Sequence, residues 1–248
     1  MYPVQGKNRE VNEMKNILWK LIMPVVVSAI LTGIIPFVTN PAVANDKTEA
    51  KQLMDKSLLT FQSFMQDENM GVMRDLLKNA KGMLITPQLL QGAFIVGMSG
   101  GSGVFVVRDG KGQWNGPVFY TVGGASIGLQ IGGEASEVIL LIMTDRGVTA
   151  FQSNNLKLGA DVGIALGPVG MGVAAETANL SADILSFSRS KGLYGGVSLQ
   201  GAVAATRDDL NRAYYGKDVK PSDILIRPTV SSSQALKLLE EIAKAAKK

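Results

Sequence analysis

The chain has 248 residues, is 46% apolar and carries a formal charge of +4, enough for one or two domains with a sizeable core and unlike a disordered chain. It contains neither cysteine nor histidine. That excludes disulfides, thiol nucleophiles and an imidazole general base, and it removes the usual ligands of zinc and redox metals. No cofactor is expected: the sequence has no Walker A motif, no calcium loop, and no G-x-G-x-x-G between a strand and a helix.

The first element in chain order reads as an export signal. Lys15 and Lys20 precede the apolar run LIMPVVVSAILTGIIPFV at 21–38, and Ala42-Val43-Ala44 gives the small-x-small pattern of a cleavage site. Cleavage is expected between Ala44 and Asn45, with Met14 an alternative start to Met1. The run is also just long enough for an uncleaved anchor; Pro24, Pro36 and the A-V-A pattern favour cleavage. Residues 1–44 hold Lys7, Arg9, Lys15 and Lys20 against Glu10 and Glu13. The remainder is therefore nearly neutral, which argues against a nucleic-acid partner.

Residues 46–81 are predicted helical. Ala50, Leu53, Met54, Ser57, Leu58, Phe61, Phe64 and Met65 recur at spacings of three and four, Val72 to Ala80 repeat the pattern, and Gly82 suits the stop. This face reads as core. The alternative is a membrane-surface helix with Lys51 and Lys56 near lipid phosphates, against which Asp55, Asp67 and Asp75 dilute the positive charge.

From 92 to 201 the composition changes: 23 of the 28 glycines fall there, too many for stable helices. VFVVR and QWN flank DGKG, a hairpin turn. VFYTV, SIGLQIG, EVILLIM, VTAFQ, LGADVGIALG, MGVAAETA, DILSFSRS and LYGGVSLQGAVAA follow as strands, separated by turns such as TDRG at 144–147. VILLIM lacks alternation and is predicted to be buried on both faces. The C-terminal zone is helical: TRDDLNRAYYG closed by Gly216, then SSSQALKLLEEIAKAAKK with a Ser cap and an apolar face. The expected fold is α+β, a glycine-rich antiparallel sandwich or partly closed barrel flanked by amphipathic helices. Its organisation is a signal at 1–44, a helical part at 45–91, a β-rich core at 92–230 and a terminal helix at 231–248.

GMSGG at 97–101 fits the G-x-S-x-G pattern of hydrolase nucleophiles, but a triad needs an imidazole, and the elbow needs a strand before Ser99 and a helix after it. Here VFVVR follows, which reads as a strand. Ser99 is therefore expected to be structural, with a Ser99-dependent hydrolase the weakest alternative and no catalytic residue assigned.

Four stretches in order, GVFVVRDGKGQWNGPVFYTVGGASIGLQIGGE, LGADVGIALGPVGMG, SFSRSKGLYGGVSLQGAV and NRAYYG, resemble the SYLF domain, also called the Ysc84 or actin-binding Ysc84 domain. The likeness runs from about Leu53 to Arg227. Arg108, Trp114, Pro117, Gly167, Pro168, Gly170, Arg189, Gly192, Gly195, Gly201 and Tyr215 fall on the family pattern. The resemblance implies a non-enzymatic lipid-binding module. Eukaryotic relatives are associated with phosphoinositide membranes and, in fungi, with actin; bacterial relatives are exported. No SH3 partner domain accompanies the match, and the export signal makes actin an unexpected partner. The expected ligand is an anionic bacterial phospholipid, phosphatidylglycerol or cardiolipin, met in the periplasm or on the cell envelope. Arg189 and Lys191, two apart on a strand, with Tyr194 beyond Gly192, are candidate headgroup contacts, and Lys51 and Lys56 are a second set. An integral outer-membrane β-barrel is the alternative; the small number of aromatics and the helices at both ends speak against it.

Overall fold

The computed structural model describes residues 43–93, 96–127, 132–168, 181–190, 193–195, 199–226 and 233–247. Residues 42–248 form one compact unit. The first helix, α1 (Val43–Gln66), buries the row predicted from spacing: Ala50, Leu53, Met54, Ser57, Phe61 and Phe64. Arg74 ends it by donating to the carbonyls of Met65 and Asp67, and Asp67 then caps a short 3-10 turn by accepting from the Asn69 N–H. Helix α2 (Gly71–Leu77) follows and buries Val72, Met73, Leu76 and Leu77.

Among the described residues nine strands make one sheet. They are β1 (Gly82–Ala93), β2 (Val96–Arg108), β3 (Trp114–Ile127), β4 (Gly132–Ile142), β5 (Asn155–Lys157), β6 (Ile164–Leu166), β7 (Ile184–Ser190), β8 (Leu193–Gly195) and β9 (Val203–Thr206). The order is β5-β9-β3-β2-β1-β4-β7-β6, with β8 also on β7, and every pair is antiparallel except β6 with β7. This order forces the sheet to curl. Eight strands laid flat at about 4.8 Å spacing separate the outer two by about 34 Å. Yet only residues 158–163 join β5 to β6, and seven peptide steps reach about 25 Å at most. The linking turn itself completes the closure. Leu158 and Gly201 bond to the β9 side, with Leu158 N–H donating to the Ala202 carbonyl at 2.8 Å, while Ile184 N–H donates to the Gly163 carbonyl at 2.9 Å. Gly159, at φ +86°, makes the turn. The result is the partly closed barrel expected.

Strand alternation splits the apolar residues between two cores. Met83, Ile85, Val104, Val106, Phe119, Ile139, Leu141 and Phe187 face outward and pack under α1, α2 and the C-terminal helix. Leu84, Phe105, Val118, Tyr120, Leu140 and Ile184 face into the curl. There the Phe105 ring stacks on Phe151 at 4.2 Å, and the Tyr120 hydroxyl donates to the Phe151 carbonyl. Val138 to Ile142 are all buried, as the unbroken apolar run predicts. Helices cover the outer face of the central strands, so these do not present the lipid-facing band of an integral barrel.

Three helices complete the fold: α4 (Asp208–Tyr215), α5 (Pro221–Leu225) and α6 (Leu236–Ala245), after α3 (Asp145–Ala150) in the chain. Gly216 closes α4 in the left-handed region, as expected. The expected Ser cap of α6 is not found: Ala235 holds the cap position without a side-chain bond, and Ser231 and Ser232 lie outside the described residues.

Other elements differ from expectation. TDRG and VTAFQ, predicted as a turn and a strand, form α3. Thr144 Oγ1 accepts from the Gly147 N–H at 3.1 Å, and this N-cap overrides the β-branched Val148 and Thr149. LGADVGIALG, residues 158–167, forms the closing turn and β6 rather than one strand. The central strand β1 precedes the glycine-rich zone and contains Pro87, a residue that argues against a strand. It is tolerated at a bulge, where the register shifts between Thr86 and Leu89. MGVAAETA lies outside the described residues.

Asp183 ties the closure together. Its carboxylate accepts from Thr144 Oγ1 at 2.6 Å and from the Gly163 N–H at 2.9 Å, and Arg146 lies 3.6 Å away. The Thr144 hydrogen bond leads in holding the Asp183 carboxyl below the usual carboxylate range; partial burial opposes it, and Gly163 and Arg146 assist. A depressed value means that the stabilisation is fully present above the ordinary carboxylate pKa of about 3.9 and is lost as pH falls through the lower folded value. Asp183→Asn is expected to lower stability at pH 7 by about 1–3 kcal/mol. In urea titrations the gap to wild type should narrow as the pH drops below that range.

Candidate functional site

Two arginines clasp α1 to the sheet. At its C-terminal end Arg189, from β7, donates through Nε to Glu137 Oε2 at 3.0 Å, through Nη1 to Asp67 Oδ2 at 3.3 Å and through Nη2 to Ser63 Oγ at 2.6 Å. Its guanidinium stands 5.3 Å from the centre of the Phe64 ring. Thr60 Oγ1 completes the group by donating to Glu137 Oε1 at 3.0 Å. Desolvation alone would weaken the arginine charge; the Glu137 and Asp67 carboxylates outweigh it and hold the guanidinium above its ordinary pKa. Near the N-terminal end Arg207 bonds Glu49 at 3.1 Å, Ser102 Oγ at 3.2 Å and Asp209 at 2.9 Å.

Beside the Arg189 clasp lies a cleft of about 400 Å³. Lys56, Leu59 and Thr60 of α1 form one wall; Pro87 and Gln88 of the β1 bulge, and Ala135 to Glu137 of β4, form the other, with Arg189 at its end. Gly101 is what lets the bulge lie so close to β2: a Cβ there would sit 2.3 Å from the Gln88 carbonyl oxygen. Lys56 is exposed on this edge of the helix, with Lys51 exposed further toward the N-terminus. Leu59 is 64% exposed at the rim. The cleft thus combines a solvated ammonium, an apolar rim and an arginine already matched by carboxylates.

The structure brings Arg189 and Lys56 to one cleft and places Lys51 on the same helix. Tyr194 lies in β8, where its backbone pairs with Arg189. Lys191 lies outside the described residues. Ala44 and Asn45 fall in the first turn of α1. Ser99 stands within β2, paired with Gln91 on one side and Gly124 on the other, and its Oγ lies 3.5 Å from the Gly124 carbonyl. The strand continues to Arg108, so no strand-to-helix elbow forms at Ser99. Sequence reading missed Glu137, Thr60, Ser63 and Asp67 as partners of Arg189. Glu137 opens the predicted strand EVILLIM, but that it meets Arg189 follows only once β4 pairs with β7.

The Ysc84 family, described as Las17-binding protein actin regulator, matches residues 123–246, from the middle of β3 through α6. The chain belongs to the Ysc84 family. SH3 domain-containing YSC84-like protein 1 of Homo sapiens is 33% identical over 205 residues, covering 81% of this chain and 59% of that protein. The Xenopus laevis protein of the same name is 29% identical over 206 residues. LAS seventeen-binding protein 3 of Saccharomyces cerevisiae is 31% identical over 217 residues, covering 83% of this chain and 46% of that protein. The chain therefore spans about three fifths or less of the length of these relatives. The family assignment agrees with the resemblance carried by the four motifs, and Arg189 and Tyr215 of those motifs now have structural roles. Arg189 clasps α1, and the Tyr215 hydroxyl donates to the Pro117 carbonyl at 2.7 Å.

The clasp and the cleft are separable by mutation. Arg189→Ala leaves Glu137 and Asp67 without their cation and should lower stability by about 1–3 kcal/mol, less than a fully buried pair because the site is partly exposed. Lys56→Ala should leave the urea midpoint unchanged, since Lys56 points to water.

Proposed function

We propose that this Ysc84-family protein is a non-enzymatic binder of anionic phospholipid, exported after cleavage between Ala44 and Asn45 and acting at a bacterial cell-envelope membrane, in the periplasm or peripherally on its surface. The observation that carries the reading is the exposed edge of α1, where Lys56 stands beside the apolar rim of the cleft, with Lys51 exposed elsewhere on the same helix. A cation at phosphate level next to a side chain able to meet acyl chains is what an anionic bilayer surface selects. Lys51 and Lys56 supply the attraction. Arg189 acts mainly by holding α1 and Glu137 in place, and reaches a headgroup only where phosphate displaces Glu137. Lys191 and Tyr194, which follow it in sequence, are the further candidates for headgroup contact.

The description of the family and the name of the yeast relative support a second reading, an actin-regulatory partner. Export would separate this chain from actin, so lipid is favoured. Flotation with phosphatidylglycerol-containing vesicles tests the choice, using exported protein whose N-terminus should read Asn45. Each basic residue near an anionic surface contributes about 1 kcal/mol. Lys51→Ala with Lys56→Ala should then weaken binding by about thirty-fold in low salt, and the difference should shrink as salt screens it. Equal binding by the variant, or co-sedimentation with filamentous actin in place of vesicles, would contradict the lipid reading.

A further inference from the structure

Strands β1 to β4 continue past the barrel as a four-stranded extension. In it Leu90 pairs with Gly100 and Ala135, Gly92 with Met98 and Gly133, and Met98 with Ala125. The outer strands lose their neighbours here. Among the described residues β9 pairs with β3 only from Tyr120 to Gly123, and β7 pairs with β4 only from Glu137 to Ile142.

Register and alternation give this extension two unlike faces. On the side that carries α1 stand Leu90, Met98, Ala125 and Ala135, spaced by glycines at 92, 100, 123 and 133. On the other side stand Gln91, Ser99, Glu134 and Ser136. Leu90 is 54% exposed and Met98 71% exposed. Leu59 meets the root of the same face, because it shares the cleft with Ala135, the partner of Leu90. Among the described residues the other exposed large apolar side chains, Leu166, Ile226 and Leu236, lie elsewhere in the fold.

We propose that this extension is an amphipathic β-flap whose apolar face, led by Leu90 and Met98, enters the headgroup layer of a bilayer. The proposal rests on the lipid reading above and adds the element that penetrates. Charge decides for a bilayer over a protein partner. Residues 82–107 and 112–133 carry no charged side chain, and the described apolar face is mostly glycine and alanine. A bilayer demands neither charge pairs nor shape complementarity. Lys56 stands on the helix at the root of the face, where lipid phosphates would lie. From Leu90 to Ala93 the flap extends about 10 Å, which matches the 5–10 Å to which interfacial elements enter. Among the described residues β3 beyond Gly123 and β4 before Glu137 have no outer strand beside them, and this sets the limit, because backbone groups without partners are not tolerated deeper in hydrocarbon.

The absence of cysteine makes a clean test possible. Met98→Cys carries an environment-sensitive fluorophore on the flap, and Lys111→Cys carries it in the β2–β3 turn at the far end of the sheet. With vesicles of phosphatidylethanolamine and phosphatidylglycerol, emission at position 98 should shift to the blue and be quenched by lipids brominated near the headgroup. Position 111 should show neither change. Leu90→Ser with Met98→Ser should reduce vesicle partitioning by about tenfold with an unchanged urea midpoint. Vesicle binding with position 98 still in water, or equal binding by the double variant, overturns the flap and leaves the lipid reading standing. Wild-type protein that does not float at all overturns the lipid reading, and the flap with it.

Discussion

Helix α1 lies against the outer face of the curled sheet through Ala50, Leu53, Met54, Phe61 and Phe64, and an arginine closes each end of that contact. The apolar row supplies the strength. Truncating a buried phenylalanine to alanine costs about 3–5 kcal/mol, whereas a partly exposed ion pair contributes less. The arginines fix position instead: Arg189 joins β7 to β4 and to the end of the helix, and Arg207 joins the start of α4 to Glu49. With the helix pinned this way, its outward edge, including Lys56 and Leu59, is set against the rim of the sheet.

That constraint also decides how the helix can take part in membrane binding. Releasing α1 to lie in a bilayer would expose the large apolar side chains Leu53, Met54, Phe61 and Phe64, at about 1.5–3 kcal/mol each. The sum is comparable to the whole stability of a domain, about 5–15 kcal/mol. Attraction of two lysines to an anionic surface, about 1 kcal/mol each, does not match it. The helix therefore stays docked and works through its edge. The same sheet that buries its inner face provides, a few residues further along β1 to β4, a second apolar surface that no described element covers.

Much of this was legible in local sequence. The helical row from Ala50 to Phe64, the buried run from Val138 to Ile142, the turn at Asp109 to Gln113 and the stop at Gly216 all depend on neighbours within a turn or a strand. Thr144 was missed because one cap outweighed a β-branched pair, and β1 because Pro87 was read without the bulge that accommodates it. The site was hidden for a different reason. Arg189 meets Glu137, Asp67 and Ser63 across 52, 122 and 126 residues, so its partners follow from strand order alone. Sequence marked Arg189 and Lys56 separately as basic residues; only the curl of the sheet makes them walls of one cleft.

Hydrogen–deuterium exchange with and without anionic vesicles tests the central claim, that lipid meets the edge of α1 and the adjoining flap. Protection is expected at residues 56–60, 88–92, 97–101 and 132–136, with residues 104–113 and α6 unchanged. Protection confined to α6 and α2, or loss of protection along the buried face of α1, would contradict the account.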